Sequence, residues 1–419
     1  MPHANIVAGL FFGDEGKGTS VDFLARLYEA NLVVRYNGGP QAAHHVVLPD
    51  GTFHRFSQFG SAYFVDGVTT YLSKHMLIEP FALLSEARRL QEMKGDNPFN
   101  RIIVDRDCLV ITPYHWIINR WRESTRYRRH GTCGRGVGEA RADALAGFPS
   151  LYMRDLANAG ILRDKLEEIR KFKFALFQAS FTSPDNVYRT EFENTKVSDL
   201  VKSYKDFSDR ITMGNTGRLH EMLTKSVSIF EGAQGVLLDE TYGFAPYNTW
   251  TDTTFRNAHE ILSGTGVRST RIGVLRALGT RHGAGPFPTE NYRMAYEGDH
   301  NSTNDWQGHF RFGYMDMVLL KYALMATGRV DELFLTHCDK INGPVGIATE
   351  YGNGMTELPF GMSGDELEKI AKIGKIEYQF TDNITRTLGE MLNVRVAYLS
   401  SGPTYLDKVS RPSIQGAKR

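Results

Sequence analysis

The residues best suited to chemistry lie together in one loop near the start of the chain. This loop contains, in order, Gly13, Asp14, Glu15, Gly16, Lys17 and Gly18. Glycines let backbone N–H groups approach an anion and a lysine adds positive charge, so the composition is typical of a phosphate-binding loop. The spacing differs from the common P-loop, which requires Gly-x-x-x-x-Gly-Lys-Ser/Thr. From these residues alone, a tight turn with a solvated lysine is the alternative interpretation.

The acidic pair Asp14 and Glu15 is unusual beside a phosphate-binding lysine. Carboxylates repel phosphate unless a metal ion or a proton transfer gives them a function. Asp14 is therefore a candidate general base, and His44, which follows the next predicted strand, is a candidate proton donor. For His44, a polar loop position or a packing role is the alternative.

The sequence around these residues predicts two neighbouring strands that both end in glycine loops. An apolar run at 6–12 precedes the loop 13–18, and a second run at 32–36 enters the loop 37–45. In a parallel sheet, ligands gather at the carboxyl ends of the strands. Further apolar runs predict strands at 101–104, 174–177, 228–230, 332–335 and 396–399, and helical patterns lie at 80–93, 116–129, 162–172, 318–327 and 365–373.

This alternation of strands and helices predicts an α/β fold with a mostly parallel central sheet, a P-loop-like phosphate loop and helical insertions. We expect one domain over residues 1–419, with a helical insertion at about 114–225. More glycine-rich loops occur at 131–138, 231–235, 280–290 and 400–404. Each alone is most often a turn, but together they predict the walls of one large polar site. Asp339 ends a strand-like run and could accept hydrogen bonds from a guanine edge or cap a helix.

Composition excludes several classes of function. The 49 Lys and Arg residues balance the 48 Asp and Glu residues, which gives no global bias towards nucleic acids or membrane surfaces. Cys108, Cys133 and Cys338 are far apart, which argues against a disulfide framework or a zinc cluster. We find no signal-peptide pattern and no apolar run of about 18 residues. We therefore expect a cytoplasmic protein that binds neither nucleic acid nor membranes.

Taken together, these loops resemble the adenylosuccinate synthetase family. The matching motifs are Gly-Asp-Glu-Gly-Lys-Gly at 13–18, Gly-Thr-x-Gly-Arg-Gly-x-Gly at 131–138, Phe-Glu-Gly-Ala-Gln-Gly at 230–235, Thr-Arg-x-Gly-Ala-Gly-Pro-Phe-Pro-Thr-Glu at 280–290 and Ser-x-Gly-Pro at 400–403. They occur in the family's order and span the chain. The resemblance implies a purine-biosynthetic C–N ligase that uses GTP, with ATP or dATP as alternatives, and Mg²⁺. Such an enzyme joins L-aspartate to the 6-position of inosine monophosphate, giving adenylosuccinate, nucleoside diphosphate and phosphate.

The resemblance also implies roles for individual residues. The catalytic group would be Asp14, Lys17, His44 and Gln234. The nucleoside triphosphate would contact Gly13, Glu15, Gly16, Lys17, Gly18, Asp339, Ser401, Gly402 and Pro403. The purine monophosphate would contact Asp14, Gln41, Cys133, Gln234 and Thr249, the metal would bind Asp14 and the carbonyl of Ala43, and the amine substrate would contact Thr303 and Arg311. The family also implies a homodimer.

The chain departs from the family pattern at several of these positions. Residues 41–45 are Gln-Ala-Ala-His-His instead of Asn-Ala-Gly-His-Thr, Cys133 replaces a threonine, and His337 replaces a lysine that stacks on guanine. The family's amine-binding loop is rich in threonine and arginine, whereas residues 302–314 retain Arg311 as the one plausible match. Because an arginine fork is the natural partner of a carboxylate, this change concerns the amine substrate most.

Three functions follow from the sequence. The first is adenylosuccinate synthesis from inosine monophosphate. The second is the same phosphoryl activation on another substrate, such as deoxyguanosine monophosphate on the route to 2-aminoadenine in modified phage DNA, or another nucleotide or amine. The third is a non-catalytic nucleotide-binding protein, against which the retention of Asp14, Lys17, His44 and Gln234 argues.

Overall fold

A ten-stranded sheet forms the centre of the computed structural model, which describes residues 1–127, 129–180, 186–296, 306, 308–352 and 354–412. The strands lie in the order Thr212–Gly214, Ile102–Asp105, Thr69–Leu72, Leu32–Arg35, Val227–Gly235, His3–Gly9, Arg268–Arg276, Glu332–Thr336, Arg395–Ser400 and Lys408–Ser410. All neighbouring pairs are parallel except the last, which is antiparallel. The fold class predicted from the sequence is confirmed.

The strand His3–Gly9 lies inside this sheet and pairs on one side with Val227–Gly235 and on the other with Arg268–Arg276. Its residues from Ala4 onward are buried, as expected for a strand that is covered on both faces. Because all three strands run in the same direction, the loops that follow them meet at one edge of the sheet. This places the loop 13–18 beside residues 234–239 and beside Arg276.

Helices cover the sheet and agree largely with the sequence prediction. They span Lys17–Leu27, Pro80–Lys94, Pro113–Thr125, Val137–Leu145, Ala159–Ser180, Val187–Asn194, Val197–Arg210, Thr216–Leu223, Arg256–Leu262, Met317–Thr327, Gly364–Lys372 and Ile384–Leu392. The strand predicted at 174–177 is wrong, because these residues continue the helix Ala159–Ser180. A short apolar run cannot distinguish a strand from the buried face of a helix. None of the helices in the described ranges is long and apolar enough to cross a membrane.

Helices dominate the stretch that was expected to be an insertion. Residues 114–225 nevertheless supply Thr212–Gly214, the edge strand of the central sheet, and Leu151–Tyr152, which pairs with Leu109–Val110. Smaller sheets complete the fold: His44–Val47 with Phe53–Phe56, Gly279–His282 with Phe310–Gly313, Leu77–Ile78 with Leu109–Val110, and Val345–Glu350 between Met315–Asp316 and Glu377–Thr381. The assignment of a single domain remains a prediction.

Candidate active site

A cavity of about 890 Å³ opens at the carboxyl edge of the central sheet. Its wall is built from the loops that the sequence analysis singled out. Among the residues that line it are Gly13, Asp14, Lys17, Gln41, Ala43, His44, Cys133, Gln234, Thr249, Asp339, Gly402 and Pro403. The structure thus brings most of the predicted site residues to one place. A cavity of this size can hold more than one small molecule.

The loop 13–18 has the geometry of a phosphate cradle. Gly13 and Gly16 have φ angles of 91° and 88°, which side chains rarely adopt, and Gly16 precedes the helix Lys17–Leu27 without a side-chain cap. The first N–H groups of that helix are therefore available to an anion.

Glu15 lies beneath the loop and is 1% exposed. Its carboxylate accepts hydrogen bonds from the backbone N–H groups of Phe11 and Gly13 at 3.0 and 2.9 Å, and from Lys17 Nζ at 2.5 Å. Glu15 thus braces the loop and orients Lys17, and the side chain that faces the cavity is Lys17.

Asp14 presents its carboxylate at the cavity wall, with about a quarter of the side chain (26%) exposed. Its backbone carbonyl accepts a hydrogen bond from Arg276 Nε at 2.6 Å, and its Oδ2 lies 3.8 Å from His282 Nδ1. Burial raises the pKa of Asp14, and the charges of Arg276, His282 and Lys17 oppose this rise. A raised pKa suits a carboxylate that must accept a proton.

Backbone strain is concentrated in this cavity. In the described chain, five non-glycine residues have positive φ, namely Asp14, Glu29, Gln234, His337 and Asn393. Three of them, Asp14, Gln234 and His337, line the cavity. Residues in this conformation cluster at functional sites because the surrounding structure must hold them there.

His44 forms a buried pair with a residue that the sequence analysis did not select. Its Nδ1 lies 2.5 Å from Glu231 Oε1, and Glu231 also accepts hydrogen bonds from the backbone N–H and the hydroxyl of Ser61. Burial lowers the pKa of His44. Burial alone would raise the pKa of Glu231, but the charge of Arg35 and the hydrogen bonds from His44 and Ser61 bring it below its ordinary value. The ionised carboxylate fixes the imidazole, so that Nε2 is the nitrogen left for chemistry.

The residues expected around the purine monophosphate lie on three separate wall segments. Gln41 Nε2 lies 3.4 Å from Gln234 Oε1, and Gln41 Oε1 is buried with no hydrogen-bond partner in the described part of the chain. Thr249 and Cys133 line the same cavity. Burial raises the pKa of the Cys133 thiol, so this side chain is a neutral, weak hydrogen-bonding group.

Another part of the cavity wall, in contact with the first helix, carries the residues predicted to frame the triphosphate base. Asp339 lines the wall and forms an ion pair with Lys340 at 3.0 Å. The carbonyl of Pro403 accepts a hydrogen bond from the Thr19 hydroxyl at 2.9 Å, which ties this loop to the first helix. Ser400, Gly402 and Pro403 line the cavity, whereas the Ser401 side chain is exposed and does not.

The predicted amine-binding residues are less completely placed. Arg311 belongs to the strand Phe310–Gly313, and its guanidinium donates to Glu290 Oε2 and to the carbonyl of Gly285, both at 2.7 Å. It does not line the cavity among the described residues. Thr303 lies outside the described residues. The neighbouring Arg281 is buried and donates to the carbonyls of Ala284, Pro286 and Tyr247, so it holds the loop 283–290 in shape.

The donor set at the phosphate loop fits magnesium only as a partner of phosphates. In the described ranges, no group of three or more His, Cys, Asp or Glu side chains could hold a metal ion. Mg²⁺ usually binds one or two carboxylates, with water and substrate phosphates completing its octahedron. Asp14 and the carbonyl of Ala43 face the cavity and can supply such a partial set.

Glu231, Arg276 and His282 are the site residues that the sequence analysis missed. Glu231 stands inside the motif Phe-Glu-Gly-Ala-Gln-Gly, three residues before Gln234, and this motif was the available signal. Arg276 ends the apolar run 272–275, a strand pattern that was not among the predicted strands. In the structure this strand pairs in parallel with His3–Gly9. His282 lies in a loop-like stretch of the sequence, and only the pairing of Gly279–His282 with Phe310–Gly313 brings it to Asp14.

A family model and known proteins match almost the whole chain. The family model "Adenylosuccinate synthetase" matches residues 6–407. The adenylosuccinate synthetase of Saccharopolyspora erythraea is 33% identical over 385 residues, covering 87% of this chain and 85% of that protein. That of Pelodictyon phaeoclathratiforme is 32% identical over 363 residues, covering 81% and 77%.

Two solved structures share the fold. Fully ligated adenylosuccinate synthetase from Plasmodium falciparum superposes with a TM-score of 0.81 at 19% identity, over 98% of this chain and 100% of that one. The succinoaminodeoxyadenylate synthetase of cyanophage S-2L, bound to dGMP and dATP, superposes less well, with a TM-score of 0.56 at 16% identity over 99% and 96%. With the family model covering nearly the whole sequence, the chain belongs to the adenylosuccinate synthetase family.

Proposed function

We propose that this protein is a C–N ligase that uses GTP and Mg²⁺ to join L-aspartate to inosine monophosphate, forming adenylosuccinate. The observation that carries the proposal is the meeting of Asp14, Lys17, Gln234 and the His44–Glu231 pair in one cavity. This set combines a base, a phosphate-binding cation and a polar amide. Phosphoryl activation of a purine oxygen requires these three kinds of group.

In the first step, Asp14 accepts the N1 proton of the purine while the 6-oxygen attacks the γ-phosphorus. Burial supports this role because it raises the pKa of Asp14. Lys17 and the N–H groups of the loop 13–18 hold the transferred phosphoryl group, and His44 Nε2 interacts with the same oxygens. Gln234, which is held in a left-handed conformation, orients the purine.

Asp14 and the carbonyl of Ala43 would hold magnesium together with the nucleotide phosphates. The bound ion neutralises charge on the phosphates. Asp339 and residues 400–403 would frame the base of the triphosphate.

In the second step, the amine of aspartate attacks C6 and loses a proton as the C–N bond forms. The C6–O bond breaks, and the 6-oxygen leaves with the phosphoryl group as inorganic phosphate. Arg311 is our candidate for binding a substrate carboxylate, since guanidinium and carboxylate match in a bidentate geometry. Its present partners are Glu290 and the carbonyl of Gly285. Binding a dicarboxylate there therefore requires Arg311 to exchange at least one of these contacts.

That arrangement favours a second candidate function, in which the same activation serves another nucleotide or amine. Both terminal nitrogens of Arg311 already donate, Nη1 to Glu290 and Nη2 to the carbonyl of Gly285, so neither is open to a dicarboxylate in this arrangement. The relevant alternatives are deoxyguanosine monophosphate in place of inosine monophosphate, dATP or ATP in place of GTP, and an amine other than aspartate.

We further propose that the protein acts in the cytoplasm as a homodimer. Membership of the family supports both the location and the homodimer. The balanced charge of the chain is in keeping with small-molecule substrates rather than a nucleic acid partner.

Phosphate release separates these functions. The protein is incubated with Mg²⁺, GTP or dATP, and either inosine or deoxyguanosine monophosphate, together with L-aspartate, with each of a panel of other amino acids, or with no amine. Release only with inosine monophosphate, GTP and aspartate supports adenylosuccinate synthesis. Release with deoxyguanosine monophosphate, or with a different amine, selects the second function, and no release under any combination contradicts both.

A further inference from the structure

Arg122 belongs to the helix Pro113–Thr125 and reaches the cavity wall beside the loop 131–138. Its Nη1 donates to both carboxylate oxygens of Glu139 at 2.9 Å. Its Nε and Nη2 donate no hydrogen bond to any residue that the structure describes, and the side chain is 38% exposed. One edge of the guanidinium is therefore fixed, and the other is available to a ligand in the cavity.

A buried ionic network behind the wall holds Glu139 in place. Lys173, on the helix Ala159–Ser180, is fully buried, and its Nζ lies 3.4 Å from Glu139 Oε2 and 2.6 Å from Asp143 Oδ2. His115 Nε2 lies 3.3 Å from the same Asp143 oxygen. Burial alone would raise the pKa of Asp143, but His115 and Lys173 bring it below its ordinary value.

This network matters because it offsets the negative charge of Glu139. A carboxylate beside an anion site would normally repel the anion. Here the two carboxylates, Glu139 and Asp143, are balanced by the two cations, Arg122 and Lys173, and Glu139 contacts both of them. Glu139 can thus orient Arg122 without leaving an unmatched negative charge at the wall. Removing one partner from such a buried cluster is costly, which keeps its geometry rigid.

The free edge of Arg122 lies on the same wall as the loop 131–138. Asn119, one turn earlier on the same helix, donates to the Thr132 hydroxyl at 3.1 Å and accepts from the N–H of Gly136 at 3.2 Å. Residues three apart on a helix share a face, so Arg122 and Asn119 point to the same side. The loop leads into the helix Val137–Leu145. Its N-cap residue is Gly136, so no side chain caps the first N–H groups of this helix.

We propose that Arg122 binds the phosphate of the purine monophosphate, as a positioning and specificity residue supplied by the same chain. This rests on the proposed function, because it assigns that substrate's anion to this wall. The guanidinium edge supplies two charge-assisted hydrogen bonds, and the network Glu139–Lys173–Asp143 presets its direction. The contact distinguishes a nucleotide from a nucleoside and takes no part in phosphoryl transfer.

The test is calorimetric binding of inosine monophosphate and of inosine, without triphosphate or aspartate, to wild type and to Arg122→Gln. Losing hydrogen bonds to a charged group should weaken inosine monophosphate binding by about 10–100-fold. Inosine binding and GTP binding should stay within about twofold, because neither involves this phosphate contact. Arg189→Gln, which removes an exposed arginine paired with Glu193 away from the cavity, is the matched control and should bind like wild type.

Each outcome decides the proposal. Unchanged affinity for inosine monophosphate in Arg122→Gln overturns it, and so does an equal loss for inosine, which would mean that the wall itself has collapsed. Arg122→Lys should recover part of the affinity, since it restores the charge without the fork. Wild type that binds inosine monophosphate but releases no phosphate contradicts the proposed function alone. Wild type that does not prefer inosine monophosphate over inosine contradicts both.

Discussion

The phosphate-loop side of the cavity and the region of Arg311, which we call the amine side after its proposed role, are held in different ways. On the phosphate-loop side, the carboxylates of Glu15 and Glu231 are buried and bonded to backbone N–H groups as well as to Lys17 and His44. On the amine side, Arg311 is held by Glu290, a side chain that is 44% exposed, and by one carbonyl. Buried, fully bonded charges are costly to disturb, whereas exposed ion pairs contribute little.

From this difference we infer which step of the proposed reaction depends on rigidly held residues. On our proposal, the activation chemistry depends on Lys17 and His44, which the buried carboxylates of Glu15 and Glu231 hold in place. On our proposal, the choice of amine depends on Arg311, which must exchange a partner, and on residues 302–305, which lie outside the described residues. We therefore expect substitutions on the phosphate-loop side to abolish turnover and substitutions on the amine side to change substrate affinity.

The largest effect is expected for Asp14→Ala. Loss of the base should lower kcat by about 10³-fold or more, within the range for general acid–base catalysis. GTP binding, measured by calorimetry, should largely survive because Lys17 and the loop N–H groups remain. Asp14→Asn, which keeps the shape of the side chain, should be almost as inactive. An Asp14→Ala variant that still turns over well would show that another residue is the base.

A smaller loss is expected for Glu231→Gln, which removes the charge that orients His44. We expect kcat to fall about 100-fold, because a neutral amide orients the imidazole less firmly than the carboxylate does. The pKa of Glu231 lies below its ordinary value, so its support for His44 is present at neutral pH and is lost as the pH falls through that pKa. Because the pKa of Asp14 is raised, protonation of this base makes kcat fall on the acid side first in both proteins. Above the pKa of Glu231, the ratio of wild-type to variant kcat should therefore stay constant. A variant with wild-type kcat would contradict the role of the pair.

On the amine side, Arg311→Ala and Glu290→Gln should act in opposite directions. The first removes the candidate carboxylate ligand and should raise the KM for aspartate about tenfold, with kcat changed less. The second releases Arg311 from its ion pair and should lower that KM severalfold. Steady-state kinetics with varied aspartate measure both. If neither variant changes the KM for aspartate, Arg311 does not bind the amine substrate.

The smallest effect concerns Asp316, which caps the helix Met317–Thr327 directly after the amine-side strand. Its carboxyl accepts hydrogen bonds from the Tyr351 hydroxyl and the N–H of Leu319, and burial raises its pKa to about 7. The folded state thus holds this proton more tightly than the unfolded state. The protonated Asp316 carboxyl therefore adds to the free energy of unfolding below about pH 4, and this contribution is lost as the pH rises towards 7.

Asp316→Asn keeps a capping side chain and removes this titration. Its Tm should exceed that of wild type by a few degrees at pH 8, and the gap should close towards pH 4. Thermal unfolding measured across this range tests the expectation. A gap that does not depend on pH would mean that Asp316 is not protonated in the folded state at low pH.

Some site residues could be predicted from the sequence because they carry a local signal, and others could not. The loop 13–18 and the strand Leu32–Arg35 carry local signals, namely glycines after buried apolar runs, and these positions were predicted correctly. Arg276 reaches Asp14 through strand order, which places Arg268–Arg276 beside His3–Gly9, and His282 reaches it through the pairing of Gly279–His282 with Phe310–Gly313. No local pattern specifies that order. Likewise, nothing in the spacing of Arg311 indicates that Glu290 is its partner.

The central claim, that the loop 13–18 activates the purine 6-oxygen by phosphorylation, has one direct test. Inosine monophosphate labelled with ¹⁸O at the 6-position is incubated with the protein, Mg²⁺, GTP and L-aspartate, and the inorganic phosphate is analysed by mass spectrometry. If the 6-oxygen attacks the γ-phosphorus before the amine displaces it, each phosphate released carries one ¹⁸O atom. Unlabelled phosphate formed alongside the product would contradict the account.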